Sequence, residues 1–405
     1  MKRTNFTTAI IGGGAAGLML ACSLSQKQGK IALFERGERV GRKLSATGNG
    51  QGNITNVHAE STAYFSSTAI GATRAQEIIK CYPHQSLINF FEDMGLLLMA
   101  DERGRVYPCS RQASALTDAL RFYIEQKGVQ TYTNTQVLAL EKHDNYFILH
   151  CNGQTFTAEN VVLCTGGKAA KNFGTDGSAY ALAQAFGHTV TNLYPSLVQL
   201  KTSTEHIKTL KGIRVNAAAL TARVNGKPLA SVTGDVIFTD YGISGDAVFR
   251  LSAFLSDKTA EDVTVDIDFL PHVSKEKLLQ AMQEKRAVFP ALAENELLFG
   301  LVNNQIGRAI MRRAGGDLQK AVTLLKAFPL TVTGTLGFDY AQVTKGGVPI
   351  EETDEHLQSR FTKGLYFAGE ILDVDGECGG FNLQWAYSSA RTVATALNEK
   401  SEGQV

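Results

Sequence analysis

Thr7-Thr8-Ala9-Ile10-Ile11-Gly12-Gly13-Gly14-Ala15-Ala16-Gly17-Leu18 opens a stretch that runs on through a helix-compatible Leu18 to Gln28 and closes with Ile31-Ala32-Leu33-Phe34-Glu35-Arg36. β-prone residues, a glycine turn, a helical segment and a second apolar run within 30 residues are the size of one βαβ unit. Gly12, Gly14 and Gly17 fit GxGxxG, and Glu35 ends the second strand 18 residues beyond Gly17. Each position has a physical reason. Gly12 and Gly14 let backbone N–H groups approach a pyrophosphate, whose charge the helix N-terminus at Ala15 and Ala16 favours. Gly17 permits close helix–strand packing, and the Glu35 carboxylate can accept from a ribose hydroxyl. The stretch reads as a dinucleotide site.

Outward from it, 405 residues at about 150 per domain suggest two or three domains. Forty basic and 39 acidic side chains leave a net charge of +1, so no global basic field steers the chain onto nucleic acid or an anionic membrane. Hydrophobic residues at 44% exclude wholesale disorder. Glycine is in excess, at 39 residues against 8 prolines, which marks tight turns and close backbone approaches rather than linkers. Cys22, Cys81, Cys109, Cys151, Cys164 and Cys378 form no CxxC pair, so free thiols in a reducing compartment are expected. Lys2 and Arg3 before the apolar run Ala9 to Cys22 imitate a leader. That run is 14 residues, short of the roughly 20 needed to span a bilayer, and three glycines interrupt it. A cytoplasmic protein without a membrane segment is expected.

Further along, Gly41 to Asn56 reads as an ordered loop. Helical patterns follow at Ala75 to Gly95 and Ser114 to Lys127, and strands at Gln136 to Leu140, Tyr146 to His150 and Val161 to Leu163. After Leu193 the character changes to short strands, at Val215 to Val224, Gly234 to Thr239 and Val263 to Phe269. The expected fold is α/β: a Rossmann-like dinucleotide-binding domain, residues 1–192 and 346–405, interrupted by an insert at 193–345. The insert has a β-rich part (193–272), a helical part (273–329) and a returning strand (330–345). Leu383 to Asn398 is the expected terminal helix.

FAD is preferred to NAD because the second strand runs into Gly41-Arg42-Lys43-Leu44-Ser45-Ala46-Thr47-Gly48-Asn49-Gly50-Gln51-Gly52 instead of another βα unit. Such a loop offers donors to a ribityl chain and a flavin edge, and Arg42 and Lys43 can neutralise phosphate. Two later turns converge: Cys164-Thr165-Gly166-Gly167, and Gly369-Glu370 with Asp373, followed by Gly380-Phe381-Asn382-Leu383 opening the last helix. A helix N-terminus there stabilises the charge of a reduced flavin. Arg36 and Val137 complete the expected cofactor set. No second GxGxxG is present.

The chain resembles the BaiN/RdsA-type family of bacterial NAD(P)/FAD-dependent oxidoreductases, which includes flavoproteins labelled aminoacetone oxidase. The resemblance rests on GGGAAGL (12–18), GRKLSATGNGQGNITN (41–56), CTGG (164–167), DYGISG (240–245), TKGGV (344–348) and FAGEILDVDGECGGFNLQWAYSSA (367–390). It implies a FAD-binding domain with a two-part insert. Gln51-Gly52 stand where many members carry Arg-Cys, and Asp240 where many have His.

The expected activity is hydride transfer from NAD(P)H, through FAD, to an unsaturated acceptor. The family implies acceptors from small unsaturated or amine substrates to an rRNA uridine giving dihydrouridine, so the partner is a small molecule or rRNA. An O₂-using amine oxidase that releases hydrogen peroxide and a non-catalytic flavin-binding protein are the alternatives. Lys345, Tyr241 and Asp240 are the catalytic candidates, Lys345 as a cation that would favour reduced flavin. His84 and His188 are isolated and read as structural. Arg308 and Arg312, with Arg313, Lys285 and Arg286, read as a solvated helix face.

Overall fold

The computed structural model describes residues 5–61, 64–258 and 262–402; Lys2 and Arg3 lie outside them. The chain divides into two compact units, Met1–Tyr194 with Val343–Val405, and Pro195–Gln342.

The first unit starts with β1 (Phe6–Ile11), α1 (Ala15–Ser23), β2 (Ile31–Phe34), α2 (Arg42–Ser45) and β3 (Thr55–Asn56). It continues with α3 (Ala69–Cys81), α4 (His84–Glu92), β4 (Leu98–Ala100), β5 (Arg105–Pro108), α5 (Ala113–Gln126) and β6 (Gln130–Tyr132). Then come β7 (Val137–His143), β8 (Tyr146–Cys151), β9 (Gln154–Leu163) and α6 (Tyr180–Gln184). β1 lies between β2 and β9, parallel to both, with Ile11 opposite Phe34 and Leu163. Its strand ends therefore bring the turns after Ile11, Phe34 and Leu163 to one edge, where α/β sheets bind ligands. α1 is buried from Ala16 to Cys22 and lies against the C-terminal helix, which explains why it carries no polar face.

Local structure differs from the sequence reading at three places here. The loop 41–56 contains α2, started by Gly41 in the left-handed conformation (φ 72°). The Ala75–Gly95 pattern is two helices, because Pro83 has no N–H to continue the first and caps the second. α1 stops at Ser23 instead of Gln28, and a single 3₁₀ turn follows at Gln26–Gln28.

β10 (Tyr194–Ser196) marks the boundary. The second unit comprises β11 (Leu200–Thr202), β12 (Arg214–Val224), β13 (Lys227–Phe238), β14 (Gly242–Ser244), α7 (Asp246–Leu255) and β15 (Val263–Asp268). α8 (Lys275–Val288), α9 (Asn304–Ala314), α10 (Leu318–Lys326) and β16 (Phe328–Thr335) complete it. The strands close a barrel in the order β11-β14-β13-β12-β15-β16. Asn225 and Gly226 both have positive φ, the two-residue turn that matches hairpin twist between β12 and β13. Leu220, Val236, Phe238, Val265, Ile267 and Phe328 are buried in a core shared with the helices. α7 is a helix where the sequence reading has only strands; Gly245 (φ 111°) turns the chain straight into it.

The chain then returns to the first unit as β17 (Val343–Lys345), β18 (Leu365–Phe367), parallel to β9, and α11 (Phe381–Glu402). No helix among the described residues is long and apolar enough to cross a membrane.

Candidate functional site

The glycine turn after β1 is shaped by contacts that forbid side chains. A Cβ on Gly12 (φ 107°) would lie 2.4 Å from the Cys164 carbonyl oxygen, and one on Gly17 would lie 2.0 Å from the Gly12 carbonyl oxygen. A Cβ on Gly14 would meet nothing within 4 Å, so the open side of the turn is there. Gly14 is the N-cap of α1 and no side chain caps it, which leaves the first N–H groups at Ala15 and Ala16 available to an anion. Glu35 braces the turn: its Oε2 accepts from the Gly13 N–H (2.9 Å) and its Oε1 from the Gly37 N–H (2.7 Å). Its remaining lone pairs are free for a ribose hydroxyl. Arg36 forms an ion pair with Asp176 at 3.0 Å. Despite burial, hydrogen bonds from Ser178 and the Arg36 charge hold the Asp176 carboxyl down to about 2. Val137 is buried at the start of β7, two residues past Thr135, whose N–H donates to the Glu35 carbonyl.

The loop from Gly41 is ordered by its own bonds. The N–H groups of Gly50 and Gly52 both donate to the Thr47 carbonyl, the Thr47 hydroxyl donates to the Leu44 carbonyl, and Leu44 is buried beneath. Gly48, Asn49 and Gly50 all have positive φ and are exposed, an uncovered rim of backbone. Arg42 is engaged with the Asn172 carbonyl at 2.8 Å. Lys43 reaches Glu370 at 2.8 Å. The other oxygen of Glu370 accepts the Thr344 N–H at 2.9 Å, and the Thr344 hydroxyl accepts the N–H groups of Lys168 and Ala169. A Cβ on Gly167 would fall 2.4 Å from that hydroxyl oxygen. The loop, the Thr165-Gly166-Gly167 turn and the Gly369-Glu370 turn are thus joined into one wall. Gly369 (φ 79°) closes it against Ala16 of α1, where a Cβ would come within 2.7 Å of the Ala16 Cβ.

At the mouth of α11, Asn382 both accepts from the Gly376 N–H and donates to the Gly376 carbonyl, folding the turn on itself. Gly380 (φ 103°) lies so close to the Thr55 backbone that a Cβ would sit 2.4 Å from it. Phe381 packs edge-on against Tyr64, and Leu383 is half-buried beside them.

Three polar atoms in this wall test whether a dinucleotide fits. Asp373 Oδ1, the Tyr180 hydroxyl and Thr165 Oγ1 are buried with no hydrogen-bond partner among the described residues. Burial pushes the Tyr180 phenol up, with Glu370 and Asp373 adding to the effect, and burial likewise raises Asp373. Buried polar groups without partners are costly, and a polar ligand satisfies them. The cradle of glycines, the uncapped helix and the orphaned atoms fit FAD. Tyr180 is a candidate site residue that sequence reasoning missed, since a lone tyrosine in an Ala-rich segment carries no motif.

The catalytic candidates stand apart in character. Asp240 is exposed and paired with Lys211 at 2.8 Å, which holds its carboxyl below the ordinary range. Tyr241 is half-buried, and its carbonyl accepts the Thr202 N–H within the barrel. Lys345 is half-buried on β17, beside Gly346 and Gly347, whose positive φ values of 93° and 154° allow their close packing on Asn192 and Ile371. His84 bonds Glu60, and His188 bonds both Glu352 and Ser359. Arg286 and Arg308 are paired with Glu294 and Glu296, Arg312 with Thr209, and Lys285 and Arg313 with backbone carbonyls.

Residues 6–396 match the family described as HI0933-like protein Rossmann domain. The chain is 34% identical to the 3-dehydro-bile acid delta(4,6)-reductase of Clostridium scindens, over 96% of this chain and 98% of that protein. It is 29% identical to the ribosomal RNA dihydrouridine synthase of Escherichia coli, over 97% and 98%. A 3-ketosteroid-delta4-(5alpha)-dehydrogenase from Rhodococcus jostii RHA1 shares the fold, with a TM-score of 0.51 at 16% identity, covering 98% of both chains.

Proposed function

Because this chain belongs to the HI0933-like Rossmann family, we propose that its FAD-dependent oxidoreductase chemistry is the reduction, at the expense of NAD(P)H, of a carbon–carbon double bond conjugated to a carbonyl. The observation that supports this reading is the near full-length similarity to two reductive enzymes whose named reactions share that bond type. A 3-dehydro Δ4,6 bile acid is a conjugated dienone, and uridine becomes dihydrouridine by saturating the C5–C6 bond conjugated to its C4 carbonyl.

FAD, when bound, supplies the two-electron store that links nicotinamide to acceptor. The chain's own residues do the rest. Gly12 to Gly17 and the N-terminus of α1 hold the pyrophosphate, and Glu35 the adenosine ribose. Asp373, Tyr180 and Thr165 accept and donate along the polar chain. The Lys43–Glu370–Thr344 connection keeps the wall closed against water. The exposed rim from Gly48 to Gly50 leaves room for nicotinamide and acceptor to visit in turn. That fits a chain with one GxGxxG and no second.

The test is anaerobic. NADPH and NADH are titrated against the purified yellow protein, and the reduced form is mixed with a 3-keto-4,6-diene steroid or with unmodified 23S rRNA. Bleaching followed by acceptor-dependent recovery of colour supports the reading, and the productive acceptor decides between a small molecule and rRNA. Absence of bleaching with rapid recovery in air after dithionite favours an amine oxidase.

A further inference from the structure

We propose that Tyr107 is the proton donor that completes saturation of the acceptor double bond, with Arg111 positioned over its ring to stabilise the phenolate left behind. The proposal rests on the reading of the protein as a reductase of conjugated carbonyls.

Tyr107 lies on β5 in the small sheet β3-β5-β4, two residues from Arg105 and therefore on the same face. That face meets the turn opening α11: the Asn56 side chain, opposite Arg105 in register, donates to the Gly379 carbonyl, and a Cβ on Gly379 would lie 3.8 Å from Arg105 Cγ. Behind it, a Cβ on Gly52 would come within 3.3 Å of the Pro108 ring. β5 thus joins the exposed glycine loop to the mouth of α11, the two ends of the candidate site.

Tyr107 is 5% exposed, and its hydroxyl has no hydrogen-bond partner among the described residues. The Arg111 guanidinium lies over its ring, 4.1 Å from the centroid, and that of Arg105 5.8 Å away. Arg111 adopts φ 52°, unfavourable for a side-chain-bearing residue, and its Nη1 reaches Gln51 Oε1 at 3.5 Å. Arg105 is itself held by Asp101, at 2.6 Å. Burial raises the phenol above its ordinary range, the two guanidinia oppose that, and Asp101 and Cys378 add to it. Burial keeps the phenol protonated and ready to donate, and the two guanidinia offset part of the cost of the phenolate that donation leaves.

The step balances. The acceptor's β-carbon gains a hydride that originates on NAD(P)H, the C=C π bond breaks, and the electron pair moves onto the α-carbon and carbonyl. The α-carbon takes the proton as the Tyr107 O–H bond breaks, and solvent reprotonates the phenolate.

Tyr107→Phe should keep full FAD content and bleach with NADPH within twofold of wild type. Its recolouring by the conjugated acceptor should slow by about 100-fold or more, the range of lost general acids. Recolouring by ferricyanide, which has no carbon to protonate, should be unchanged. In deuterated solvent, wild type should place deuterium on the α-carbon. Acceptor recolouring within threefold of wild type overturns the proposal, and so does equal loss with ferricyanide or loss of FAD. A holoprotein difference spectrum, wild type minus variant, should show one phenol ionising above about 10, and ionisation near neutrality overturns it. If Tyr107→Phe fails to fold, Arg111→Gln at an exposed position decides: a roughly tenfold loss confined to the conjugated acceptor is expected, and no loss overturns it. If wild type reduces no conjugated acceptor, the reductase reading and this proposal fall together. If wild type does and Tyr107→Phe matches it, only this proposal falls. Loss in Cys378→Ser with Tyr107→Phe active would assign the proton to the thiol.

Discussion

Lys43 and Glu370 meet at 2.8 Å although 327 residues separate them in sequence. The pair ties a loop from the first βαβ unit to a turn beside the last helix. Glu370 then passes the connection to Thr344, and Thr344 to the backbone after Gly167. Three side chains, Lys43, Glu370 and Thr344, thus hold together the loop carrying α2, the turn after β18 and the turn after β9.

Both side chains of that pair are about three-quarters buried, at 26% and 20% exposure, so the interaction is partly shielded from water. Lys43→Met should cost about 1 kcal/mol of apo stability and weaken FAD binding. Glu370→Gln in the Lys43→Met background should cost less than the same change alone. Thermal unfolding of the four proteins, with and without FAD, measures the coupling; strict additivity would show that the contact contributes nothing.

Gly14 and Gly17 should respond oppositely to enlargement. Gly14→Val enters open space, so it should cost no more than about 1 kcal/mol as an N-cap change while blocking the pyrophosphate and giving a soluble, colourless protein. Glu35→Ala combined with it should also be colourless. Gly17→Ala meets the Gly12 carbonyl at 2.0 Å and should destabilise the apo fold by about 3 kcal/mol or more. Circular dichroism melts and flavin absorbance separate the two; stoichiometric FAD in Gly14→Val would remove the turn from the site.

Tyr180→Phe should raise the melting temperature of the FAD-free protein, because it removes a buried hydroxyl without a partner among the described residues, a group that costs about 1–3 kcal/mol when unsatisfied. The same variant should bind FAD more weakly. A variant whose apo form melts lower, with FAD affinity intact, would show that the hydroxyl is satisfied within the protein.

His188 has a fully buried side chain between Glu352, at 2.9 Å, and Ser359, at 2.7 Å. Burial lowers its pKa below the ordinary value of 6.5, only partly opposed by Glu352. The unfolded chain therefore takes up the proton first as pH falls. This contribution to stability is complete above about pH 6.5 and is lost as pH drops through that value toward the folded pKa. Melting temperatures from pH 7.5 to 5.0 should fall more steeply for wild type than for His188→Asn; parallel curves would refute the assignment.

The α/β class, the first βαβ unit and the glycine turns were legible because their causes are local. Gly12, Gly14 and Gly17 carry the turn within six residues, and strand and helix periods surround it. Element ends were less legible where one residue overrides a pattern, as Pro83 does between α3 and α4 and Gly245 does before α7. Composition could not reveal that β11 to β16 close a barrel, since closure depends on pairings between strands more than 100 residues apart.

The sequence by itself determined the glycine turns and the dinucleotide-binding fold they belong to, because those demands fall on backbone conformation and glycine answers them. Tertiary structure alone decided which side chains lie beside those turns. Lys43 finds Glu370, Tyr180 buries its hydroxyl where the charges of Glu370 and Asp373 act on it, and Arg111 crosses Tyr107. Charge pairing, burial and ring stacking act through space, and the sheet brings together residues whose spacing in the chain says nothing of their distance.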